Sequence, residues 1–211
     1  MNYQLLQTLI KHLEQHEAGQ DAAKPASLVS FVGYLNQQVF EPPRQDIPAA
    51  EVTETVESIL TKLISFTYRY AKGYIKKALE NSELTTLDDF TYLVGIWKMD
   101  GCSKTEIIEK NIHEKTTGTE ILKRLLANDL ITQSDDPTDR RSKRVVITEK
   151  GKLALFGTFD EMRKASTLVG GKLNETEKLQ LLHLLQKLDD FHQPIFLKDR
   201  DRPIDVLLAL I

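Results

Sequence analysis

The sequence predicts a mainly α fold that carries one small β-hairpin. Three observations predict it. Leu130 to Gly151 reads as a hairpin, with Ile131 to Ser134 as one strand and Arg144 to Ile147 as a β-branched second strand. The turn formers Asp135-Asp136-Pro137-Thr138-Asp139 lie between them. Directly upstream, Ser103-Lys104-Thr105-Glu106 fits a capping box for a short helix whose inner face is Ile107 and Ile108. After Ile112-His113-Glu114 a second helix places Ile121, Leu122, Leu125 and Leu126 at helical spacing. Helix, tight turn, helix and basic hairpin together make a winged helix-turn-helix. Its second helix would lie in the DNA major groove, and its hairpin would reach phosphates or the adjacent minor groove.

The charge pattern supports a local grip on an anion. The chain has 211 residues and a net charge of -3, which argues against broad, non-specific nucleic-acid binding. From Arg140 to Lys152, however, six basic residues stand against the single acidic Glu149. The positive charge is therefore focused, as a docking surface needs. Arg140, Arg141, Lys143 and Arg144 crowd the hairpin, and Asp139 would orient one guanidinium by an ion pair. The outer face of the second helix shows Lys115, Thr116, Thr117, Thr119, Glu120 and Lys123 toward the groove.

These residues resemble a known family. Asp136-Pro137-x-Asp139-Arg140-Arg141, followed by Val145-Val146-Ile147-Thr148-Glu149-Lys150-Gly151, is similar to the wing signature of the multiple antibiotic resistance regulator (MarR) family. Leu125-Leu126-x-x-x-Leu130-Ile131 resembles that family's end of the recognition helix. The resemblance covers roughly residues 55 to 190. It implies a bacterial transcription regulator, a homodimer on a palindromic operator in double-stranded DNA, often released by a small ligand or an oxidant. The sequence departs from the pattern at three places. Gly118 sits early in the recognition helix, Glu120 puts a negative charge where a base-reading side chain is common, and Asp129 replaces the usual Gly after the helix.

The remaining elements follow in order. Residues 3 to 17 read as a helix with Leu5, Leu6, Leu9, Ile10 and Leu13 along one side, broken at Gly19-Gln20-Asp21. Ser27 to Val39 reads as a second helix with Leu28, Phe31, Val32, Leu35 and Val39 inward. Glu41 to Pro48 holds three prolines and reads as a linker. His12 and His16 are four apart, but no third ligand is evident, so they read as surface histidines. Thr53 caps a long helix from Glu54 to about Leu79, with Val56, Leu60, Leu63, Thr67, Tyr70, Tyr74 and Ala78 on one stripe. So much apolar surface implies burial on two sides, as in a dimer interface plus a core. Thr86-Leu87-Asp88-Asp89 resembles a capping box for a helix holding Phe90, Leu93, Val94 and Trp97, ended by a left-handed cap at Gly101.

Thr148 starts a helix that runs to about Val169 and stops at Gly170-Gly171. Asn174 and Glu177 start another, continued by Leu179, Leu182, Leu185 and Leu188 to about His192 and ended by Pro194. The apolar tail from Pro203 to Ile211 is expected to pack against the partner or the N-terminal pair. The expected organisation is thus 1–50 as a helical extension and linker and 51–85 as the first dimerisation helix. Residues 86–148 form the DNA-binding domain, and 149–211 the C-terminal dimerisation helices and tail.

No phosphate loop, Gly-rich dinucleotide turn or nucleophile elbow is present, so no enzyme chemistry, cofactor or metal is expected. Tyr70, Tyr74, Phe90 and Trp97 would wall a cleft for a small aromatic effector. Two other readings compete. One is a winged-helix protein-interaction module that lost DNA binding, favoured by the acidic net charge and Glu120. The other is a redox sensor at Cys102, whose thiol Lys104 and the following helix would depress. A single cysteine, and no apolar run long enough to span a membrane, suit a cytoplasmic protein.

Overall fold

The computed structural model describes residues 2–19, 27–39, 55–135 and 143–211. It divides into two compact units, Met1–Glu54 and Thr55–Ile211.

In the first unit α1 (Tyr3–Ala18) starts at Asn2, whose side chain accepts from the Leu5 amide, and α2 (Leu28–Val39) packs beside it. A polar and aromatic seam joins them. His16 is buried, its Nε2 lies 3.1 Å from Ser30 Oγ, and its ring stands 5.2 Å from Tyr34 and 5.7 Å from Phe31. His16 is therefore an interior residue and not a surface one. Leu28 and Val32, expected inward, are exposed, because α1 meets α2 through the Phe31–Tyr34 side. No group of three metal-ligating side chains occurs among the described residues. The expected linker at Glu41 to Pro48 lies outside the described residues.

The second unit opens with α3 (Val56–Ala78), capped by Thr55 and not Thr53. Only its last turns, Ile75, Ala78 and Leu79, join the core. A loop leads to α4 (Leu87–Lys98), where the Thr86–Asp89 capping box forms as expected. The helix ends on Met99, and Asp100 takes the left-handed conformation ahead of Gly101, both with positive φ. A two-residue strand follows, β1 (Cys102–Ser103), then α5 (Lys104–Lys110) with the Ser103–Glu106 capping box, then α6 (Lys115–Ala127). The hairpin strands are β2 (Ile131–Asp135) and β3 (Lys143–Ile147). The sheet is antiparallel in the order β1-β3-β2, with Val145 opposite both Cys102 and Gln133. The pairing of β1 with β3 is absent from the sequence reading.

The segment after the hairpin is two helices, α7 (Glu149–Gly157) and α8 (Phe159–Gly170), where one was expected. Thr158 makes the break. Its backbone N–H and its hydroxyl both donate to the Leu155 carbonyl, at 3.1 and 2.7 Å, which tightens the turn just after Gly157. The bend sets Phe159 against Phe90. The last long helix, α9 (Glu175–Lys198), has the Asn174–Glu177 capping box and continues through Pro194. A proline frees the carbonyl four residues back. Here that residue is Asp190, which is exposed. The chain closes with α10 (Ile204–Leu208).

The core lies under the helix-turn-helix and sheet. Tyr92, Leu93 and Ile96 of α4 meet Ile107 and Ile108 of α5, Ile121, Leu122 and Leu125 of α6, and Ile131, Val145 and Leu155. Two glycines are set by close approach. A Cβ on Gly151 would lie 2.0 Å from the Leu130 carbonyl oxygen, so the start of α7 can cross the base of the hairpin only without a side chain. A Cβ on Gly118 would lie 2.4 Å from Ile108 Cγ1 and 2.8 Å from Tyr92 Oη. Gly118 costs α6 about 1 kcal/mol relative to Ala, and that cost lets α6 sit flush on α4 and α5. At Asp129, which departs from the glycine pattern, φ is 55°, so the position still takes the left-handed conformation that glycine favours.

Candidate nucleic-acid interface

The second helix of the helix-turn-helix is fixed from behind and bare in front. Gly118, Ile121, Leu122 and Leu125 are buried. Arg124 completes the seat. Its Nη2 and Nε donate to Asp89 Oδ1 at 2.6 and 2.9 Å, and its Nη2 reaches Thr86 Oγ1 at 3.3 Å. The other carboxylate oxygen, Oδ2, accepts from the Thr85 amide, the Thr85 hydroxyl and the Thr86 amide. Burial pushes the Asp89 carboxyl up, but the hydrogen bonds from Arg124 and Thr85 outweigh it and hold the group below the usual aspartate range. One buried carboxylate thus ties the start of α4 to the last turns of α6.

The front face carries the residues expected there. Lys115, Thr116, Thr117, Glu120 and Lys123 are exposed; Thr119 is half-buried, and its hydroxyl donates to the Lys115 carbonyl at 2.6 Å. Lys115, Thr116, Thr117, Thr119 and Glu120 line a shallow open recess. Glu120 pairs with Lys123 at 2.6 Å, so its negative charge is locally offset. At the start of α6, Glu114 makes no side-chain cap; its carboxylate faces Arg200 Nη1 at 3.3 Å, beyond the end of α9.

The hairpin holds Lys143 beside Asp135. Asp139, Arg140 and Arg141 lie outside the described residues. Arg144, one of the basic residues of the hairpin, is half-buried and lies across to the turn after α4, where its Nη2 donates to the carbonyls of Gly101 at 3.0 Å and Asp100 at 3.2 Å. Those turn carbonyls need donors, and Arg144 supplies them. At the other end, the Thr148 hydroxyl donates to the Asp129 carbonyl at 2.7 Å. Lys150 donates to the Asn128 carbonyl and pairs with Glu83 at 2.9 Å. The hairpin is therefore pinned at its base on both sides.

Cys102 does not have the surroundings of a reactive thiolate. It is buried in β1, and burial, with Glu106 adding to it against Arg144 and Lys110, pushes the thiol up to about 11. The expected depression by Lys104 and α5 is overturned, because the side chain faces the core. The four expected pocket rings divide. Trp97 and Phe90 belong to a chain of edge-on contacts, Trp97–Phe156 at 5.3 Å, Phe156–Phe159 at 5.4 Å and Phe159–Phe90 at 6.2 Å. Tyr70 is exposed and Tyr74 half-buried on α3. Phe156 and Phe159 were not among the expected rings; they stand on either side of the Thr158 break, which brings them together.

A family model described as a winged helix DNA-binding domain matches residues 100–151, from the turn before β1 to the first turn of α7. The HTH-type transcriptional repressor NicR of Pseudomonas putida is 31% identical over 140 residues, covering 66% of this chain and 85% of the relative. The chain belongs to the MarR family of winged helix-turn-helix transcriptional regulators. It is a DNA-binding regulator of transcription. Another relative, the HTH-type transcriptional regulator TtmR of Methylorubrum extorquens, is 26% identical over 164 residues, 76% of this chain and 83% of that one.

Among solved structures, a mutant MarR from E. coli complexed with operator DNA has a TM-score of 0.59 at 19% identity, covering 62% of this chain and 93% of that chain. BpsR of Bordetella bronchiseptica, whose DNA binding is regulated by 6-hydroxynicotinic acid, has a TM-score of 0.58 at 23% identity, covering 62% and 98%. These likenesses confirm the MarR fold. An interaction module without DNA binding is not favoured. Among the described residues no helix is long and apolar enough to cross a membrane.

Proposed function

We propose that this regulator works as a homodimer, laying α6 of each protomer in successive major grooves of a palindromic operator and gripping phosphates with the wing. The observation that carries the reading is the two-sided character of α6: clamped by Asp89–Arg124 behind, bare and polar in front. Lys115, Thr116, Thr117, Thr119, Glu120 and Lys123 face the bases and flanking phosphates. Arg140, Arg141 and Lys143 supply the wing's charge, with Asp139 orienting a guanidinium. The pinned base of the hairpin holds that wing in register with α6.

Replacing Arg140 and Arg141 by alanine is expected to weaken DNA binding without changing thermal stability, since the sequence around them, Asp135 to Lys143, is polar apart from Pro137. The salt dependence should flatten by a slope of about one for each phosphate no longer neutralised. Wild-type affinity and salt slope in the double variant would sink the wing assignment.

The second part of the proposal is release by a small aromatic acid held beside Trp97, in a cleft that includes Tyr70, Tyr74 and Phe90. Its support is the half-exposed Trp97 on the Phe156–Phe159–Phe90 chain and the action of 6-hydroxynicotinic acid on BpsR. The ligand would favour a dimer whose two α6 helices miss the spacing of about 34 Å between successive major grooves. Linkage then requires DNA to weaken the ligand by the same factor. Trp97 is the only tryptophan, so its fluorescence reports on the site directly. Titration with 6-hydroxynicotinic acid should quench it, and operator DNA should shift that titration to higher ligand. Quenching indifferent to operator would remove the regulatory claim.

A further inference from the structure

His113 sits in the turn between α5 and α6, two residues before α6 begins, and the DNA-reading face described above makes no use of it. Its Nδ1 lies 3.1 Å from Tyr92 Oη, and the two rings stack at 5.7 Å with 25° between their planes. Its Nε2 lies 3.8 Å from Asp88 Oδ1. Tyr92 is fully buried in the middle of α4, and Asp88 is in that helix's first turn. The Tyr92 hydroxyl reaches the turn through the space that Gly118 leaves, where a Cβ would stand 2.8 Å away. The glycine that looks out of place in the recognition helix is therefore the opening through which α4 holds the turn.

We propose that His113 is a positioning residue for DNA reading: it seats the start of α6 through Tyr92 and Asp88, and operator binding takes up a proton there. The proposal rests on α6 being the reading helix. A tyrosine hydroxyl both donates and accepts, so the His113–Tyr92 contact survives in either protonation state. In the neutral form Nδ1 accepts from Tyr92 and Nε2 already carries an N–H toward the Asp88 carboxylate. Protonation adds an N–H at Nδ1, the Tyr92 hydroxyl turns to accept it, and the turn gains a positive charge held against α4.

The groups around the imidazole set the sign. Asp88 from α4 favours the charged form. Tyr92 is uncharged across the relevant range, since burial and Asp88 push its hydroxyl up to about 12. Glu114 adjoins His113 and favours the charge, but its carboxylate is shared with Arg200. Lys115 and the positive start of α6 oppose it. DNA phosphates arriving at the start of α6 add negative charge on the open side and tip the balance toward the imidazolium. By linkage, DNA then binds more tightly as His113 takes up its proton.

The test is the pH profile of affinity for a duplex recovered by the wild-type protein from genomic fragments, at fixed ionic strength. Wild-type affinity should rise as pH falls from about 8 to about 6, with a limiting slope of about one proton, or up to tenfold per pH unit. His113→Gln keeps a side chain able to accept from Tyr92 but cannot titrate, and should lose that component of the slope. Asp88→Asn, which leaves the imidazole in place, should shallow the slope as well. Tyr92→Phe should keep the slope and lose roughly two- to tenfold in affinity at every pH, the worth of one hydrogen bond. Wild-type slopes in both His113→Gln and Asp88→Asn overturn the proposal, as does unchanged affinity in Tyr92→Phe. Thr117→Ala and Lys123→Ala serve as the independent check on α6. If they bind like wild type, the reading helix itself is misassigned; if they weaken binding while His113→Gln and Asp88→Asn keep the wild-type slope, only the positioning role fails.

Discussion

Asp89→Ala should lose about 2–3 kcal/mol of folding stability at neutral pH and most of its operator affinity. The carboxylate accepts five hydrogen bonds, two from Arg124 on Oδ1 and three from Thr85 and Thr86 on Oδ2. Alanine strands all five donors in a place where Asp89 is 2% exposed. Arg124 is 39% exposed, so water screens part of its charge, and the expected loss rests mainly on the stranded donors. Affinity falls as well because the same group holds α6 in place. A reading helix displaced by an ångström no longer meets base edges that demand fixed geometry. The double variant Asp89→Ala/Arg124→Met removes donor and acceptor together and should recover part of the stability. Urea unfolding measures the first effect and duplex titration the second; a midpoint indistinguishable from wild type in Asp89→Ala would refute the clamp.

The same group gives the fold an acid limit with a defined sign. Folding lowers the Asp89 carboxyl below its ordinary value, so the folded state prefers the charged form. Its contribution is complete above the unfolded aspartate value of about 3.9 and disappears as pH falls through the lower folded value. In Asp89→Asn that component of the acid unfolding curve should be missing.

What was legible in the sequence was local. The capping boxes at Thr86, Ser103 and Asn174 depend on two residues three apart, and all three form. The buried stripe of α6 follows from the 3.6 period, and the hairpin from β-branched residues flanking turn formers. What was not legible depends on residues far apart in the chain. Asp89 was read as a cap and Arg124 was not singled out, yet their pairing spans 35 positions. The β1–β3 pairing involves only two residues of β1, too few to show a period. Gly118 looked like a weakness because the reason for it, Tyr92 and Ile108, lies in other helices. Arg144 looked like part of the grip because nothing local shows that the Asp100–Gly101 turn needs its donors. Charge patterns in a sequence show which residues are basic, but only packing shows which of them are already engaged.

Changing Leu63 and Tyr70 together to glutamate should convert the regulator to monomers that no longer hold the operator. The motive is that α3 and α9, 23 and 24 residues long, have no buried residue within a single chain. Leu63 is 54% exposed and Tyr70 63%, with Val56, Leu60 and Ile64 exposed on the same helix and Leu182 and Leu185 on α9. Helices of this length with so much open apolar surface need a covering, and a second copy offers the same surface by two-fold symmetry. Symmetry also doubles the damage, since each substitution occurs twice in the interface. Burying one leucine side chain contributes roughly 1.5–3 kcal/mol, so Leu63 alone accounts for about 3–6 kcal/mol across the dimer. The added carboxylates lose further energy on desolvation. The dissociation constant should therefore rise by at least about a hundredfold. A monomer engages one half-site, and without the second head it forfeits an effective-concentration gain of about 10²–10⁴ in affinity. Sedimentation at micromolar concentration should find the wild type dimeric and the variant monomeric, with the helical circular-dichroism signal retained. A wild-type monomer, or a variant that still sediments as a dimer, would place the interface elsewhere.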